Sequence, residues 1–211
     1  MKKKNILCFV AHSDDAAIGI GGTLVKYVKE KNNIIEVIFS YGELSHLRKN
    51  VIIKKRISEA KSAAKILGYK NVIFFGLPDA KIGKEVYKVK DKVKKLIKKY
   101  KPVKIFTHSL SDPLPDHKAV NKAVIGVLEE MKSKVGVYSF DVWNITNFSE
   151  AENPRMYVDI SDTFDTKIKA LKNFKSQMHV ILQLMPSIYT RAKLHGQHYG
   201  CKYAERFYKL R

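Results

Sequence analysis

The chain has 211 residues, with 40 Lys and Arg against 20 Asp and Glu, for a formal net charge of +20. That length suits a single domain over residues 1–211 with a sizeable buried core. Two cysteines exclude a disulfide framework and a Cys-type zinc site, and no apolar stretch is long enough to span a membrane.

The excess of positive charge admits nucleic acid, an anionic membrane or an acidic substrate as partners. The lysines are spread through helical segments instead of forming one block, so they read as solvated helix faces. Nucleic acid ranks last, because no aromatic RNA-binding motif or helix-turn-helix is visible. The basic stretch Met1 to Lys4 looks like the start of a signal peptide, but the apolar run behind it ends quickly at His12. This argues against secretion and for a cytoplasmic protein.

In chain order, Ile6 to Ala11 is an apolar run with β-branched and aromatic members, too short for a helix, and is predicted as a buried strand. Cys8 within it reads as a small buried thiol. Polar and acidic residues follow at once, then Gly19, Gly21 and Gly22. A helix is expected from about Ile20 to Lys31. Ile34 to Phe39 is a second strand, with Ser40 to Ser45 as a polar loop at its end. A helix from about Arg48 to Leu67 stops at Gly68, as C-cap chemistry prefers. Asn71 to Phe75 is a short strand, Glu85 to Tyr100 a strongly basic helix, Lys104 to Thr107 a strand, His117 to Met131 a helix and Val135 to Phe140 a strand. Met156 to Ile160 and a helix from Ser161 to Phe174 follow, with Ser161 to Phe164 as its N-cap region. This alternation predicts an α/β, Rossmann-like architecture: a mainly parallel sheet with helices on both faces.

Two strand ends carry the chemistry. His12, Asp14 and Asp15 lie just past the first strand, where open α/β sheets bind ligands. Alone they read either as an ordinary helix N-cap or as part of a divalent-cation site. The glycines do not decide, since neither G-x-G-x-x-G nor a phosphate-loop Lys-Ser/Thr is intact. The second segment, His108 to His117, follows another strand and contains Asp112, Asp116 and His117. Two strand ends that each carry Asp and His favour a metal site over two unrelated caps.

These residues also form a recognisable pattern. Ala11-His12-Ser13-Asp14-Asp15 resembles the Ala-His-Pro-Asp-Asp-Glu motif of the LmbE/PIG-L family of zinc-dependent N-deacetylases, and Asp112-Pro113-Leu114-Pro115-Asp116-His117 resembles its Asp-x-His-x-Asp-His motif. Weaker matches are Tyr41-Gly42-Glu43, Arg56-Ile57-Ser58-Glu59, Gly76-Leu77-Pro78-Asp79, Ser176-Gln177 and Tyr203 to Phe207. The resemblance implies Zn2+, or another divalent metal, on His12, Asp15 and His117. It implies Asp14 as general base, and Asp116 as the acid that orients a family histidine. It places Arg56 and Glu43 beside a small-molecule substrate of the N-acetylglucosamine type. It leaves room for a homo-oligomer.

Three positions depart from the pattern. Ser13 replaces proline, Ala16 replaces glutamate, and Leu114 replaces the histidine that steadies the tetrahedral intermediate. Without that histidine, Asp116 is expected to support His117. His108, His195 or His198 is expected to supply the missing donor. The alternative is a catalytically weakened, metal-containing amino-sugar-binding protein. His195-Gly196-Gln197-His198 reads as a loop near the pocket. Tyr189, Tyr199, Tyr203 and Tyr208 read as core aromatics, with a sugar-facing wall as the other reading.

Overall fold

The computed structural model describes residues 3–44, 49–143 and 153–211. Met1, Lys2, Ser45 and Arg48, which the basic N-terminus, the polar loop and the second helix were expected to include, lie outside them.

Strand β1 (Asn5–Val10) is central. Its side chains are buried on both faces, as a parallel strand covered by helices requires. Ile6, Cys8 and Val10 join a core with helices α1 (Asp15–Lys29), α2 (Lys49–Leu67), α6 (Phe164–Leu171) and α7 (Met178–Tyr199). Leu7, Phe9 and Ala11 join the opposite core with α3 (Ile82–Glu85), α4 (Lys90–Tyr100) and α5 (Pro115–Glu130). One strand of period two therefore seals both layers.

The other strands are β2 (Asn33–Ser40), β3 (Asn71–Leu77), β4 (Lys104–His108), β5 (Gly136–Phe140), β6 (Arg155–Asp159) and β7 (Ala204–Lys209). They form one seven-stranded sheet in the order β3-β2-β1-β4-β5-β7-β6. β1 to β5 run parallel, and β7 is antiparallel to both neighbours. The chain winds outward from β1 to β3, then returns to lay β4 on the other side of β1. The strand order thus reverses between β1 and β4, and a crevice opens at their carboxyl ends. Among the described residues, no helix is long and apolar enough to cross a membrane.

Several boundaries differ from the sequence reading. Helix α1 starts at Asp15, so Gly19, Gly21 and Gly22 lie inside it. A Cβ on Gly19 would sit 2.2 Å from Phe140 Cδ2, and one on Gly22 would sit 2.8 Å from Ile160 Cβ. These glycines serve close packing against neighbouring elements, and the helix begins about five residues before the expected Ile20. The basic Glu85–Tyr100 stretch is α3, a 3-10 turn (Val86–Val89) and α4. Before α6, the Thr163 hydroxyl donates to the Gly22 carbonyl (2.9 Å), and its side chain makes no capping bond. His195 to His198 lie within α7 and not in a loop, because Gly196 fits against the backbone of Cys201 and Lys202.

Candidate functional site

The crevice is built by three strand-to-helix turns. β1 ends at Val10, and Ala11 to Asp14 turn into α1 with Asp15 as its first residue. β4 ends at His108, beside β1, and Pro115 starts α5 with its ring in the first turn, where no N–H is required. β3 ends at Leu77, ahead of Asp79.

Asp15 is the hub. Its Oδ2 accepts the His12 backbone N–H (2.7 Å) and lies 3.6 Å from His12 Nδ1, while Oδ1 lies 3.5 Å from His117 Nε2. Burial disfavours its charge, yet His117 and His108 outweigh that and hold its pKa well below the usual carboxylate range. Asp14, the N-cap residue, makes no capping hydrogen bond with its side chain. Its carboxyl is buried beside Asp15, and its pKa is raised by burial and then by the Asp15 charge, with Arg56 and His12 acting against both.

His117 is fully buried, and its Nδ1 lies 3.0 Å from Asp112 Oδ1. Burial opposes its protonation, but Asp15 and Asp112 outweigh it and hold the pKa at about 9. Asp112 accepts backbone N–H groups from Leu114 on Oδ1 and from Val142 and Trp143 on Oδ2. It is therefore saturated and fixed as the support of His117. The expected pairing of Asp116 with His117 is corrected: Asp116 Oδ1 accepts the Ile82 N–H (3.2 Å), and its Oδ2 turns toward His12 Nε2 at 3.8 Å. Adjacency in sequence sent Asp116 and His117 to opposite sides of the first turn of α5, and Asp112 filled the space that was left.

His12, Asp15 and His117 each offer a ligand atom, all within 4.8 Å of one another. Both ring nitrogens of His117 are buried without a well-aligned hydrogen bond, Nε2 facing Asp15 and Nδ1 facing Asp112. Two imidazoles and one carboxylate on one face fit a divalent cation of the zinc type with an open position. Asp14 stays outside that set.

Arg56 is buried, and its Nη1 donates to the Tyr41 carbonyl (2.9 Å). It passes over Gly42, whose φ of +71° and missing side chain make room: a Cβ there would lie 1.5 Å from Nη1. Glu43 Oε1 accepts the Asp79 N–H (3.3 Å) and so ties the β2 turn to the β3 turn. Asp79 was named in the sequence only as the end of a weak motif match and was given no role in the site. Its Oδ1 lies 3.2 Å from His12 Nε2, and its Oδ2 accepts the Leu44 N–H. Burial raises its pKa, but His12 outweighs this and draws it down to about 2.

His108 lies beneath the cluster, fully buried, with Nε2 accepting the Ala11 N–H (2.9 Å). The same Nε2 lies 3.2 Å from Asp15 Oδ2. Burial and then the neighbouring His117 charge push its pKa down to about 4. His195 lines a separate small cavity with Lys167, Arg191, Glu205 and Arg206. The tyrosines pack on other rings: Tyr189 and Tyr203 on Phe164, and Tyr199 on Tyr157, while Tyr208 is fully buried under Arg206.

The chain is similar to several known proteins. Diacetylchitobiose deacetylase of Thermococcus kodakarensis is 27% identical over 227 aligned positions, covering 96% of this chain and 81% of that protein. The solved N,N'-diacetylchitobiose deacetylase of Pyrococcus horikoshii superposes with a TM-score of 0.82 at 21% identity, over 98% of this chain and 84% of its own. The 4-carboxy-2-hydroxymuconate hydratase of Pseudomonas putida superposes with a TM-score of 0.80, also at 21% identity, over 99% and 96%. A hydratase and a deacetylase on one backbone mean that these two superpositions establish the fold alone. The family model described as PIG-L, GlcNAc-PI de-N-acetylase, matches residues 7–128, more than half of the chain and both turns that carry the histidines and aspartates. The chain belongs to the PIG-L family.

Proposed function

We propose that this protein is a divalent-metal-dependent hydrolase, with zinc as the metal, that removes the acetyl group from an amino sugar of the N-acetylglucosamine type. The observation that carries this reading is the convergence of His12, Asp15 and His117 from two strand ends, with Asp14 buried beside them and outside the ligand set. The named activity of the Thermococcus relative supports the substrate class.

His12, Asp15 and His117 would hold the cation, which when bound supplies Lewis acidity toward water and toward an amide carbonyl. Asp112 keeps His117 Nδ1 occupied, so that Nε2 is directed into the site. Asp14 takes a proton from the attacking water. In the metal-free protein burial and the Asp15 charge raise its pKa. Water oxygen bonds to the acetyl carbon, the carbon–nitrogen bond breaks, and Asp14 returns the proton to the leaving amine nitrogen. Asp116 Oδ1 is anchored by the Ile82 N–H, and its Oδ2 faces His12 Nε2 at 3.8 Å without a hydrogen bond. Arg56 and Glu43 shape the rim that meets sugar hydroxyls.

Leu114 gives the oxyanion no imidazole donor, and His108 is buried beneath the cluster with Nε2 engaged. Loss of one such donor costs about two to three orders of magnitude in rate in other hydrolases. The second reading, a weakened metal-containing amino-sugar binder, rests on this residue. Acetate release from a panel of N-acetylated amino sugars by zinc-loaded protein separates the two. The enzyme reading expects turnover that Asp14→Asn lowers by about 100-fold or more while zinc content stays unchanged. Sugar binding with no acetate release from any member of the panel would establish the binder instead.

A further inference from the structure

His12 is a ring with carboxylates at both ends. Nδ1 faces Asp15 Oδ2 at 3.6 Å. Nε2 faces Asp79 Oδ1 at 3.2 Å and Asp116 Oδ2 at 3.8 Å. His12, Asp79 and Asp116 also place a ligand atom each within 4.8 Å of one another. Metal–ligand bonds of about 2.0–2.2 Å set neighbouring ligand atoms roughly 3 Å apart, so this spacing needs little closure to grip an ion.

Two further features single out this end of the ring. Asp116 Oδ2 is buried and has no hydrogen-bond partner, while Oδ1 is pinned by the Ile82 N–H. The free oxygen is therefore held in place, aimed at His12 Nε2, with nothing but the imidazole before it. An unpartnered buried carboxylate oxygen is costly, and a cation is the partner that relieves it most. Asp79 is fixed in the same way, with the Leu44 N–H on Oδ2 and the Ala80 N–H on Oδ1 (3.0 Å). Its side chain is 17% exposed, which leaves an entry path from solvent. Charge points the same way. Asp14, Asp15, Asp79, Asp112 and Asp116 crowd one crevice, with Arg56 as the guanidinium that acts on Asp14 and Asp79. One dication leaves that set negative.

We propose that His12 Nε2, Asp79 and Asp116 form a second divalent-cation site, outside the inner set of His12, Asp15 and His117 and sharing the His12 ring with it. The occupant is a borderline or hard dication, such as Zn2+, Co2+ or Mn2+, bound through one nitrogen and two oxygens. The inner site fills first, because its ligands are the more deeply buried. With the outer site filled as well, the His12 ring would serve both ions, and its Nε2 would have to release its proton to solvent. This inference rests on the reading of the inner set as a metal site.

The test is a Co2+ titration of metal-stripped, full-length protein, followed by equilibrium dialysis and elemental analysis and by the visible ligand-field bands. Wild type is expected to take up one Co2+ tightly and then a second at higher concentration, with a second change in the bands. Asp79→Asn and Asp116→Asn each remove a ligand of the outer ion only, and each is expected to weaken the second uptake by about 10-fold or more beyond any change in the first, which stays stoichiometric. Circular dichroism checks that each variant folds. If Asp116→Asn does not fold, because the Ile82 contact is needed, Asp79→Asn decides alone. Saturation at a single tight Co2+ overturns the outer site and leaves the deacetylase reading standing. Second uptake that neither variant weakens also overturns it, as an adventitious ion only. Failure to bind any Co2+ removes the inner site and the outer one together.

Discussion

The imidazoles of His108 and His117 lie face to face, with centroids 3.8 Å apart and planes 16° from parallel. One ring is neutral and the other carries a proton in the metal-free protein, because Asp15 and Asp112 flank His117 whereas burial dominates at His108. Below His108 lies Phe140, 5.0 Å away, and below Phe140 lies Gly19 of α1. A run of ring contacts, stacked between His117 and His108 and tilted by 49° between His108 and Phe140, therefore links the first helix to a proposed metal ligand.

Gly19→Ala should disturb the site from beneath. The new Cβ would meet the buried Phe140 ring at 2.2 Å, and overpacking of this kind costs about 1–3 kcal/mol. Urea unfolding should show that loss, and chelator competition should show weaker zinc binding. Adding Phe140→Leu should restore part of both. Unchanged stability in Gly19→Ala would mean that the ring stack yields freely.

Asp112→Asn keeps the shape of the side chain but removes its charge from His117. Supports of metal-binding histidines typically contribute about 10- to 100-fold in metal affinity. The variant should lose zinc affinity in that range and also some stability, since either the Leu114 N–H or both the Val142 and Trp143 N–H groups lose their acceptor. Competition against a chelator of known affinity measures the first effect and thermal unfolding the second.

His108→Phe retains a ring in the stack but deprives the buried Ala11 N–H of its acceptor. An orphaned buried donor costs about 1–3 kcal/mol. Stability should fall by that order while zinc stoichiometry is kept, because His108 is not among the inner ligands. Loss of stoichiometric zinc in a folded variant would instead make His108 a ligand.

Glu36, on β2, gives a pH signature to which the Asp15 and Asp14 charges add. Burial raises its pKa, the Tyr69 hydroxyl bond (2.9 Å) pulls the other way, and the net value is about 8. The folded state thus binds this proton more tightly than the unfolded state does. Its contribution is fully present below about pH 4 and is lost as the pH rises toward 8. Glu36→Gln does not titrate and imitates the protonated acid. Relative to wild type it should gain stability steadily from pH 5 to pH 8, by an amount on the order of 4 kcal/mol. Parallel pH–stability curves for the two metal-stripped proteins would contradict the assignment.

Much of this protein was legible in one dimension. Apolar runs such as Ile6 to Ala11 and Ile34 to Phe39, alternating with helical periods, are local signals, and they were enough for a mainly parallel sheet with helices on both faces. Placing His12, Asp14 and Asp15 at one strand end, and Asp112 to His117 at another, needed only the same signals. The residue types there, with the family resemblance, pointed to a metal.

The partnerships were decided in three dimensions. Nothing local says that β4 lies against β1, which alone brings His117 to Asp15, because parallel neighbours are joined through distant crossovers. Nor does sequence say which aspartate serves which histidine. Asp112 supports His117 and the adjacent Asp116 faces His12, since successive helical residues point about 100° apart. Asp79 reached the site from a third strand, and Gly19 became a contact for Phe140 inside a helix. Periodicity records how a residue sits in its own element, whereas side-chain direction and neighbours across the sheet come from packing between elements far apart in the chain.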